Sequence, residues 1–404
     1  MRSHLRAFAL TLLFLLGSLR LAGCASPLSV TSTPPAPQHT RLKTATLAPP
    51  PILLSSPSRP AASVDTPTQV STGKPQTSTP LATGADGRIA FVQQIQSGSS
   101  YYEDIYVVNL DGTGLVNLTE ALDADDFDYL SWSPDGTRLA FHALASDVSG
   151  IYLLSADGFG LARLTDGPGL DTQPTWSPDG SMLAFRRSHL SEQWWQWHLV
   201  VISADGSDEH IVASDVGEQA SPSWTTISWS PDGRRIAFTA WVGPAVQVFV
   251  VNVDGSGLAQ LTSPDDPREN SWEPSWSRDD RLIAFASPSG INAVTPDGSQ
   301  TSQLMRLRWG QLAFPGWSPD STRIVAYSEH GLYELTLGAL YPDRLLYTWP
   351  ICAALSPDAS MVSYLSPIGD TGVSDLMVID LDTSATWEVA ELSHVGFGCP
   401  VWQP

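Results

Sequence analysis

The stretch SWSPDGTRLAF, residues Ser131 to Phe141, recurs along this 404-residue chain and decides its fold. In its centre, Pro134 presets φ for a turn, Asp135 binds its own backbone and Gly136 closes the turn. The flanking apolar residues favour strands. Each copy therefore predicts two antiparallel strands, A and B, joined by a tight turn. The other copies run from Thr175 to Phe185, Ser228 to Phe238, Ser275 to Phe285, Gly316 to Tyr327 and Ala354 to Tyr364.

A second motif follows the first. Residues Gly150 to Thr165 read GIYLLSADGFGLARLT, and residues Gln247 to Thr262 read QVFVVNVDGSGLAQLT. Apolar residues alternate on both sides of an Asp-Gly turn, which predicts two further strands, C and D. One unit thus contains four short strands in about 45 residues, which is the size of one β-propeller blade.

The two ends of the repeat region complement each other. Asp104 to Thr119 is a C–D motif, and Asp86 to Phe91 before it is a B strand that lacks its A strand. The missing half returns at the other end as Pro400 to Pro404. The sequence therefore predicts an all-β, seven-bladed β-propeller in which the terminal strand completes the first blade and leaves no gap in the ring.

Both motifs, in fixed order over residues 85–404, resemble the TolB-type propeller repeat, a bacterial relative of the WD repeat. The resemblance implies the propeller fold. The sequence departs from this repeat where the A–B turn lacks its Pro or Gly, or where strand A lacks its Trp. These departures put the boundaries of the last three blades in question, and they lie at Arg278, Asp280, Ser321, Leu355 and Ala359.

An export signal precedes the repeats. Two Arg residues are followed by an apolar run, Phe8 to Leu19, that is too short to span a bilayer and is typical of a secretory signal peptide. The next residues, Leu21 to Cys24 (LAGC), resemble the bacterial lipobox, whose Cys receives a diacylglycerol after the signal is removed. The resemblance implies a signal peptide of residues 1–23 and an extracytoplasmic protein that Cys24 anchors to a bacterial membrane. The alternative is a plain signal peptide with an incidental Cys.

Residues 24–84 are rich in Pro, Ser and Thr and contain no aromatic residue. Such a segment cannot bury enough apolar surface to offset its ordering entropy, so we expect a disordered tether. As a flexible coil it would span about 40 Å, which would hold the propeller away from the membrane.

Charge separates the tether from the propeller. The chain has 42 acidic and 21 basic residues, of which residues 1–84 hold one acid and seven bases. The propeller region is therefore left with 41 acids and 14 bases, a net charge of −27. Such a surface repels nucleic acid and anionic lipid and favours cations or a basic partner. The alternative is that the acidity only keeps an exported protein soluble.

Two Cys residues remain besides Cys24. Cys352 lies three residues before Leu355, which replaces the repeated Trp, and Cys399 lies three residues before Trp402. The two thiols thus hold equivalent positions in neighbouring A strands. Since many exported proteins meet an oxidising milieu, we predict a Cys352–Cys399 disulfide. Two buried free thiols are the alternative.

The B–C and D–A connections vary in length and lie on one side of the predicted ring, here called the loop face. The short A–B and C–D turns lie on the other side, the turn face. Variable loops on a rigid scaffold usually carry binding, and these loops are acidic and contain Trp. The alternative is that Trp195 and Trp197 pack between blades while the acids are solvated. The predicted binding residues are Asp125, Asp126, Asp128, Asp171, Trp194, Trp195, Trp197, Asp265, Asp266, Glu269, Trp272 and Glu273.

The sequence contains no motif of a known catalytic site: a Gly-x-Ser-x-Gly elbow, a His-Glu-x-x-His pair and a phosphate loop are all missing. We therefore predict a monomeric, non-enzymatic scaffold that binds a basic envelope protein or peptide. The alternatives are a carbohydrate or small-molecule binding module, a metal-dependent enzyme similar to polysaccharide lyases that uses the channel mouth, and a structural spacer. Asp125, Asp126 and Asp128 are candidate Ca²⁺ ligands, although their run lacks the Gly and the bidentate Glu of a calcium loop, and no other cofactor is predicted.

Overall fold

The structure is a computed structural model. It describes residues 87–404 apart from 98–99, 121–125, 146–147, 168, 191–194, 215–225, 264–268, 307–311, 329–330, 339–343, 348–349, 351, 368–373 and 393–398. All described residues lie in one compact unit, Gln76–Pro404. The signal peptide, Cys24 and the tether lie outside them and stay predictions.

Within the described residues, 28 strands form seven antiparallel sheets of four strands each, and each sheet is one blade. Every blade orders its strands A, B, C, D as the two motifs predict. The strands of blades 1 to 3 are β1 (Arg88–Ser97), β2 (Ser100–Asn109) and β3 (Val116–Asn117); β4 (Asp126–Trp132), β5 (Arg138–Ala145), β6 (Val148–Ser155) and β7 (Ala162–Arg163); and β8 (Leu170–Trp176), β9 (Met182–Leu190), β10 (Trp195–Ser203) and β11 (His210–Ser214).

The remaining blades follow the same order. Blade 4 contains β12 (Ser228–Trp229), β13 (Arg235–Val242), β14 (Ala245–Asn252) and β15 (Ala259–Gln260), and blade 5 contains β16 (Trp272–Trp276), β17 (Ile283–Ser287), β18 (Gly290–Val294) and β19 (Thr301–Arg306). Blade 6 contains β20 (Leu312–Trp317), β21 (Arg323–Ser328), β22 (Gly331–Thr336) and β23 (Arg344–Tyr347). Blade 7 contains β24 (Ala353–Leu355), β25 (Met361–Pro367), β26 (Ser374–Asp380) and β27 (Thr386–Leu392), and the last strand is β28 (Val401–Trp402).

Strand β28 completes blade 1 as its A strand. Trp402 pairs with Ile89 and Val401 pairs with Ala90 across an antiparallel ladder. Gln403 extends this contact, because its backbone N–H donates to the Arg88 carbonyl oxygen (2.8 Å) and its side-chain oxygen accepts from Arg88 Nε (2.6 Å). The seven blades and the closure by the terminal strand are confirmed.

The repeated Trp residues join neighbouring blades. The indole N–H of Trp176 donates to the carbonyl oxygen of Ser131 in blade 2 (3.1 Å), and that of Trp229 donates to Thr175 in blade 3 (3.0 Å). In each case the acceptor residue directly precedes the repeated Trp of the previous blade. The repeated Trp therefore both packs between two blades and donates a hydrogen bond from one blade to the other. Trp317 bonds Ser275 in the same way (3.1 Å), and Trp402 bonds Ala354 (3.0 Å) across the closure.

The A–B turns keep one hydrogen-bond pattern even where the sequence diverges. In blade 2, Ser133 Oγ donates to Asp135 Oδ1 (2.6 Å), and the Ser–Asp pairs of blades 6 and 7 make the same contact. In blades 5 to 7, non-Gly residues occupy the position of Gly136, and their φ angles are also positive. This left-handed backbone costs about 1–2 kcal/mol of folding free energy at each residue. The Ser-x-Asp pair therefore forms the turn without the Gly. The substituting residues are Asp280, Ser321 and Ala359, with φ of 61°, 56° and 56°.

The core lies between blades. One cluster packs Trp197 and Leu199 of blade 3 against Phe238 and Phe249 of blade 4, and another packs Phe91 of blade 1 against the sheet of blade 7. Both faces of most blades are therefore apolar. This packing fixes the level of each A strand relative to the next one and so positions the residues at the loop face.

Candidate functional site

Strand A lies at the inner edge of each sheet, and the A strands of most neighbouring blades contact one another. In blades 2, 3 and 5 this strand is irregular three residues before the repeated Trp. Tyr129, Gln173 and Glu273 occupy that position with left-handed φ angles of 55°, 59° and 53°. Cys352 and Cys399 hold the same sequence position in blades 7 and 1. These five residues thus lie at the same height along the inner edge of the ring, which we call the inner wall.

Three carboxylates from two blades meet at the loop-face end of the boundary between blades 1 and 2. Glu103 lies near the start of β2, and Asp126 and Asp128 lie near the start of β4. Glu103 is only 5% exposed, it shares a side-chain hydrogen bond with Asp126, and its Oε2 accepts from the Phe127 backbone N–H (3.3 Å). A carboxyl that is buried beside another carboxyl favours its protonated form, and this describes the surroundings of Glu103.

Burial, the hydrogen bond to Asp126 and the negative charges of Asp126 and Asp128 together raise the pKa of Glu103 to about 9, although the Phe127 N–H opposes this shift. Burial also raises the pKa of Asp128 to about 7, and the charge of Asp126 adds to the effect. The Tyr129 N–H donates to Asp128 Oδ1 (2.7 Å) and lowers that pKa. The cluster therefore retains protons at neutral pH that isolated carboxylates would release.

His142 lies next to this cluster, because it is the cross-strand partner of Asp128 in the β4–β5 ladder. Its side chain is 8% exposed. Its Nε2 lies 3.1 Å from Ser149 Oγ, whereas its Nδ1 is buried and has no partner among the described residues. Burial lowers the pKa of His142, and the negative charges of Asp126 and Asp171 oppose the shift. The imidazole is thus neutral at physiological pH.

Asp171, a predicted binding residue, is 1% exposed. Both of its oxygens accept from Arg187, at 2.7 Å from Nε and 2.8 Å from Nη2. Arg187 also contacts Glu209. Asp171 therefore belongs to an ion-pair network within blade 3.

The Trp-rich connection of blade 3 is only partly described. Trp194 lies outside the described residues, and Trp195 begins β10 without a described side chain. Trp197 is 5% exposed and packs edge-on against Phe238 of blade 4, with 6.1 Å between ring centroids. Trp197 thus packs between blades, as the alternative prediction states for this residue.

The segment that leads into blade 5 contributes half-buried residues. The carbonyl oxygen of Glu269 accepts from Gln247 Nε2 (2.9 Å), Trp272 packs against the core between blades 5 and 6, and Glu273 lies on the inner wall. Asp265 and Asp266 lie outside the described residues, as does Asp125.

The structure bonds Cys352 to Cys399, and their Cα atoms are 5.4 Å apart, within the range of disulfides. The Tyr327 hydroxyl lies 3.7 Å from the Sγ of Cys352 and 3.9 Å from that of Cys399. The pair joins the strand of blade 7 to the segment before β28. Formation of this disulfide in the native protein stays a prediction.

The described residues contain no group of three or more His, Cys, Asp and Glu side chains placed to hold a metal ion. The calcium prediction included Asp125, which is outside those residues, and it stays a prediction. No helix in the described part of the chain is long and apolar enough to cross a membrane.

Sequence reasoning missed Glu103 and Arg187. Glu103 directly precedes a copy of the C–D motif and lies beside a second acid, Asp104, so nothing in the sequence singled it out. Arg187 follows a B-strand copy, and only the contact with Asp171 reveals its role.

Comparison with known proteins agrees with this architecture. Residues 129–319 match the family described as the TolB beta propeller domain. The described propeller is TolB-like. The Tol-Pal system protein TolB of Anaeromyxobacter sp. (strain K) is 43% identical over 44 residues, which cover 11% of this chain and 10% of that protein. The chain therefore matches only a tenth of the length of this curated relative.

Several solved structures also resemble this TolB-like propeller. TolB from Acinetobacter baumannii aligns with a TM-score of 0.51 at 18% identity, over 79% of this chain and 68% of that one. An oligogalacturonate lyase in complex with manganese aligns with a TM-score of 0.52 at 17% identity, over 76% of this chain and 86% of that one. At these identities the likeness shows the fold alone, which supports scaffolds and enzymes equally.

Proposed function

We propose that this chain is a lipoprotein of the bacterial cell envelope whose TolB-like propeller binds a basic segment of another envelope protein at the loop face. The observation that carries the proposal is the grouping of Glu103, Asp126 and Asp128, from two blades, at that face. The net charge of −27 over residues 85–404 supports it, because complementary charge speeds and orients docking. The name of the curated relative, a component of a Tol-Pal system, also supports a role in a multi-protein assembly.

The proposed docking face includes residues that the structure does not describe. Glu269, Trp272 and Glu273 lie around the loop-face side of blade 5. Together with the carboxylates of blades 1 and 2 they would present acids on two sides of the channel mouth. The undescribed members of the face are Asp125, Trp194, Asp265 and Asp266.

Lipid anchoring at Cys24 is the first part of the proposal to test. Cells that express the full chain are grown with radiolabelled palmitate, and the protein is immunoprecipitated. We expect label and a membrane location for the natural sequence, and neither for the Cys24→Ser variant, because the thiol is the acceptor of the diacylglycerol. A labelled Cys24→Ser variant, or an unlabelled natural protein in the soluble fraction, would contradict the lipid anchor.

Partner binding is tested by affinity capture from an envelope extract, with the full chain in mild detergent as bait. We expect a protein with a basic segment to bind at low salt and to elute at high salt, because exposed charge attraction is screened. The Asp126→Asn/Asp128→Asn variant should capture less of the same protein, whereas Asp157→Asn/Asp382→Asn, which removes two exposed acids from the turn face, should capture as much.

Two results would oppose docking at the loop face. Equal capture by both double variants would show that the partner does not bind through the loop-face carboxylates. An empty column with well-folded bait would favour the small-molecule hypothesis, and a thermal shift with oligosaccharides or divalent metals would then support it.

A further inference from the structure

We propose that exposed apolar side chains of blades 1 and 2 rest on the lipid bilayer that carries the protein, with Phe159 inserted among the lipid headgroups. They lie in the C–D turns and at the start of the outer D strands, at the edge of the turn face. The inference rests on the lipid anchor of the proposed function and adds a second membrane contact that orients the propeller. These residues, here called the apolar rim, are Leu115, Val116, Phe159 and Leu161.

Phe159 departs from the repeated C–D turn. The equivalent positions in blades 1, 3 and 4 hold Thr113, Ser207 and Ser256, and each of these hydroxyls donates to the Asp two residues before it, at 2.6–2.7 Å. Phe159 has no hydroxyl, so it contacts Asp157 Oδ1 only through its backbone N–H (3.1 Å), and its side chain is 75% exposed. This turn thus lacks one hydrogen bond and exposes a ring to water, which is typical of a functional surface rather than of a requirement of the fold.

The turn that carries Phe159 adjoins the outer strand of blade 1. A Cβ on Gly158 would lie 3.4 Å from the side chain of Leu118, which directly follows β3. The exposed side chains of the two blades therefore belong to one surface. The other three members of the apolar rim are between 38% and 52% exposed.

The apolar rim lies in a sector with little negative charge. The residues from 112 to 119 and from 158 to 165 include no acid, although the propeller region as a whole has a net charge of −27. Asp111 and Asp157 border these two segments. Because acids at the border repel anionic headgroups, the surface suits zwitterionic lipids better than anionic ones.

The first described residues of the propeller lie against both turns of the apolar rim. Arg88 begins β1, and its Nη1 donates to the carbonyl oxygen of Ala156 (3.1 Å), just before the turn of blade 2. The Leu110 N–H, at the turn of blade 1, donates to the Gly87 carbonyl oxygen (3.1 Å). The predicted tether, residues 24–84, ends just before these residues in the chain.

A bilayer fits this surface better than a free protein does. A stable contact between two proteins buries about 1,200–2,000 Å² in total, which is more than four side chains supply. An anchored propeller needs less, because a tether that spans about 40 Å keeps the apolar rim at a high effective concentration near the membrane. A second copy is opposed by its own net charge of −27. The tether alone would let the propeller stand away from the bilayer, whereas the rim contact would hold it there with the loop face turned outward.

Photocrosslinking tests which molecule covers Phe159. The full chain is produced in a bacterial host with p-benzoylphenylalanine in place of Phe159, purified from membranes and reconstituted into phosphatidylcholine vesicles. After irradiation we expect an intact mass that is increased by one phosphatidylcholine, a lipid that the diacylglycerol anchor does not contain. The same probe in place of Ser256, the equivalent exposed residue of blade 4, should give about tenfold less of this adduct. Vesicles of phosphatidylglycerol should give less adduct at Phe159 than phosphatidylcholine vesicles do.

A Phe159→Ser variant separates membrane contact from folding. It restores the residue type of Ser256, whose hydroxyl bonds the Asp of its turn, so the urea midpoint should not fall. A probe in place of Leu161 should also form the lipid adduct. In the Phe159→Ser background that adduct should fall about threefold or more, because the ring that inserts most deeply is lost.

Four results would overturn the membrane contact. They are equal adducts from the probes at Phe159 and Ser256, a crosslink from Phe159 to a second copy without any lipid adduct, an unchanged Leu161 adduct in the Phe159→Ser background, and a lower urea midpoint of that variant. Each of them would leave the lipid anchor intact if Cys24 is labelled by palmitate. A natural protein without palmitate that still forms the Phe159 adduct would refute the anchor and support the rim, so the two proposals fail separately.

Discussion

Gly136 shows at the scale of one residue how the two ends of the ring meet. It lies in the A–B turn of blade 2 with φ of 67°, and its carbonyl oxygen accepts from the side-chain amide of Gln403 (2.5 Å). A Cβ on Gly136 would lie 2.9 Å from the carbonyl oxygen of Pro404. The residue thus needs to be Gly for two reasons, the left-handed backbone and the closeness of the terminal strand.

The matched position in blade 3 separates these two reasons. Gly180 has φ of 71°, but a Cβ there would meet nothing closer than 3.5 Å. We expect Gly180→Ala to lower the free energy of unfolding by about 1–2 kcal/mol, for the backbone alone. Gly136→Ala should lower the free energy of unfolding by clearly more than this, because Pro404 must also shift. Urea denaturation of both variants measures the difference, and equal losses would contradict the close contact with the terminal strand.

The closing strand is the element on which the ring depends. Strand β28 has only two residue pairs with β1, and Trp402, Gln403 and Cys399 add contacts on either side of it. The ladder alone is therefore short, and side chains supply much of the attachment. The proposed disulfide would tie this element to blade 7 covalently.

Reduction of the disulfide tests that attachment. Closing a loop with a sequence separation of 47 residues should stabilise the protein by about 4 kcal/mol in the chain-entropy model. We expect reductant to lower the urea midpoint of the natural protein and to leave a Cys352→Ser/Cys399→Ser variant, already less stable, unchanged. Two alkylatable thiols in freshly purified protein, with a midpoint that does not respond to reductant, would show that the bond is not formed.

The sequence predicted the elements well because each one is defined locally. The Ser-x-Asp turn is made within six residues, so Ser318 and Asp320 form it although the Gly is lost. The candidate site was predicted only in part. Asp126 and Asp128 were found from their own segment, but their partner Glu103 lies in another blade, and Trp197 is buried by contacts with blade 4. The sequence pattern of one repeat does not indicate which residues of another repeat it contacts.

At the scale of the whole molecule, two sets of carboxyls with opposite pKa shifts shape the dependence of stability on pH. Hydrogen bonds from neighbouring hydroxyl and N–H groups lower the pKa of turn residues such as Asp135 and Asp320 to about 2. These turns stabilise the fold above about pH 4, and their contribution is lost as the pH falls toward 2. Glu103 and Asp128 act in the other direction, because their raised pKa values mean that the folded state binds protons which the unfolded chain releases.

We therefore expect maximal stability in mild acid, near about pH 5, with a decline toward about pH 9 as Glu103 and Asp128 ionise within the fold. Urea midpoints measured across this range test the prediction. The Glu103→Gln variant, which cannot ionise, should flatten the alkaline decline and leave the acid decline unchanged. A natural protein whose midpoint rises steadily from pH 5 to pH 9 would show that these carboxyls are solvated.

The terminal closure also orders events in time. Arg88 and its partner Gln403 are separated by 315 positions, so a ribosome adds the inner strand of the first blade only after all the other strands of the ring. An emerging chain can stack blades 2 to 7 one after another, but the first blade stays three-stranded until that point. Contacts of such long sequence separation slow folding. For the export that we propose, this order of events would keep the chain from completing its fold before the closing strand has crossed the membrane.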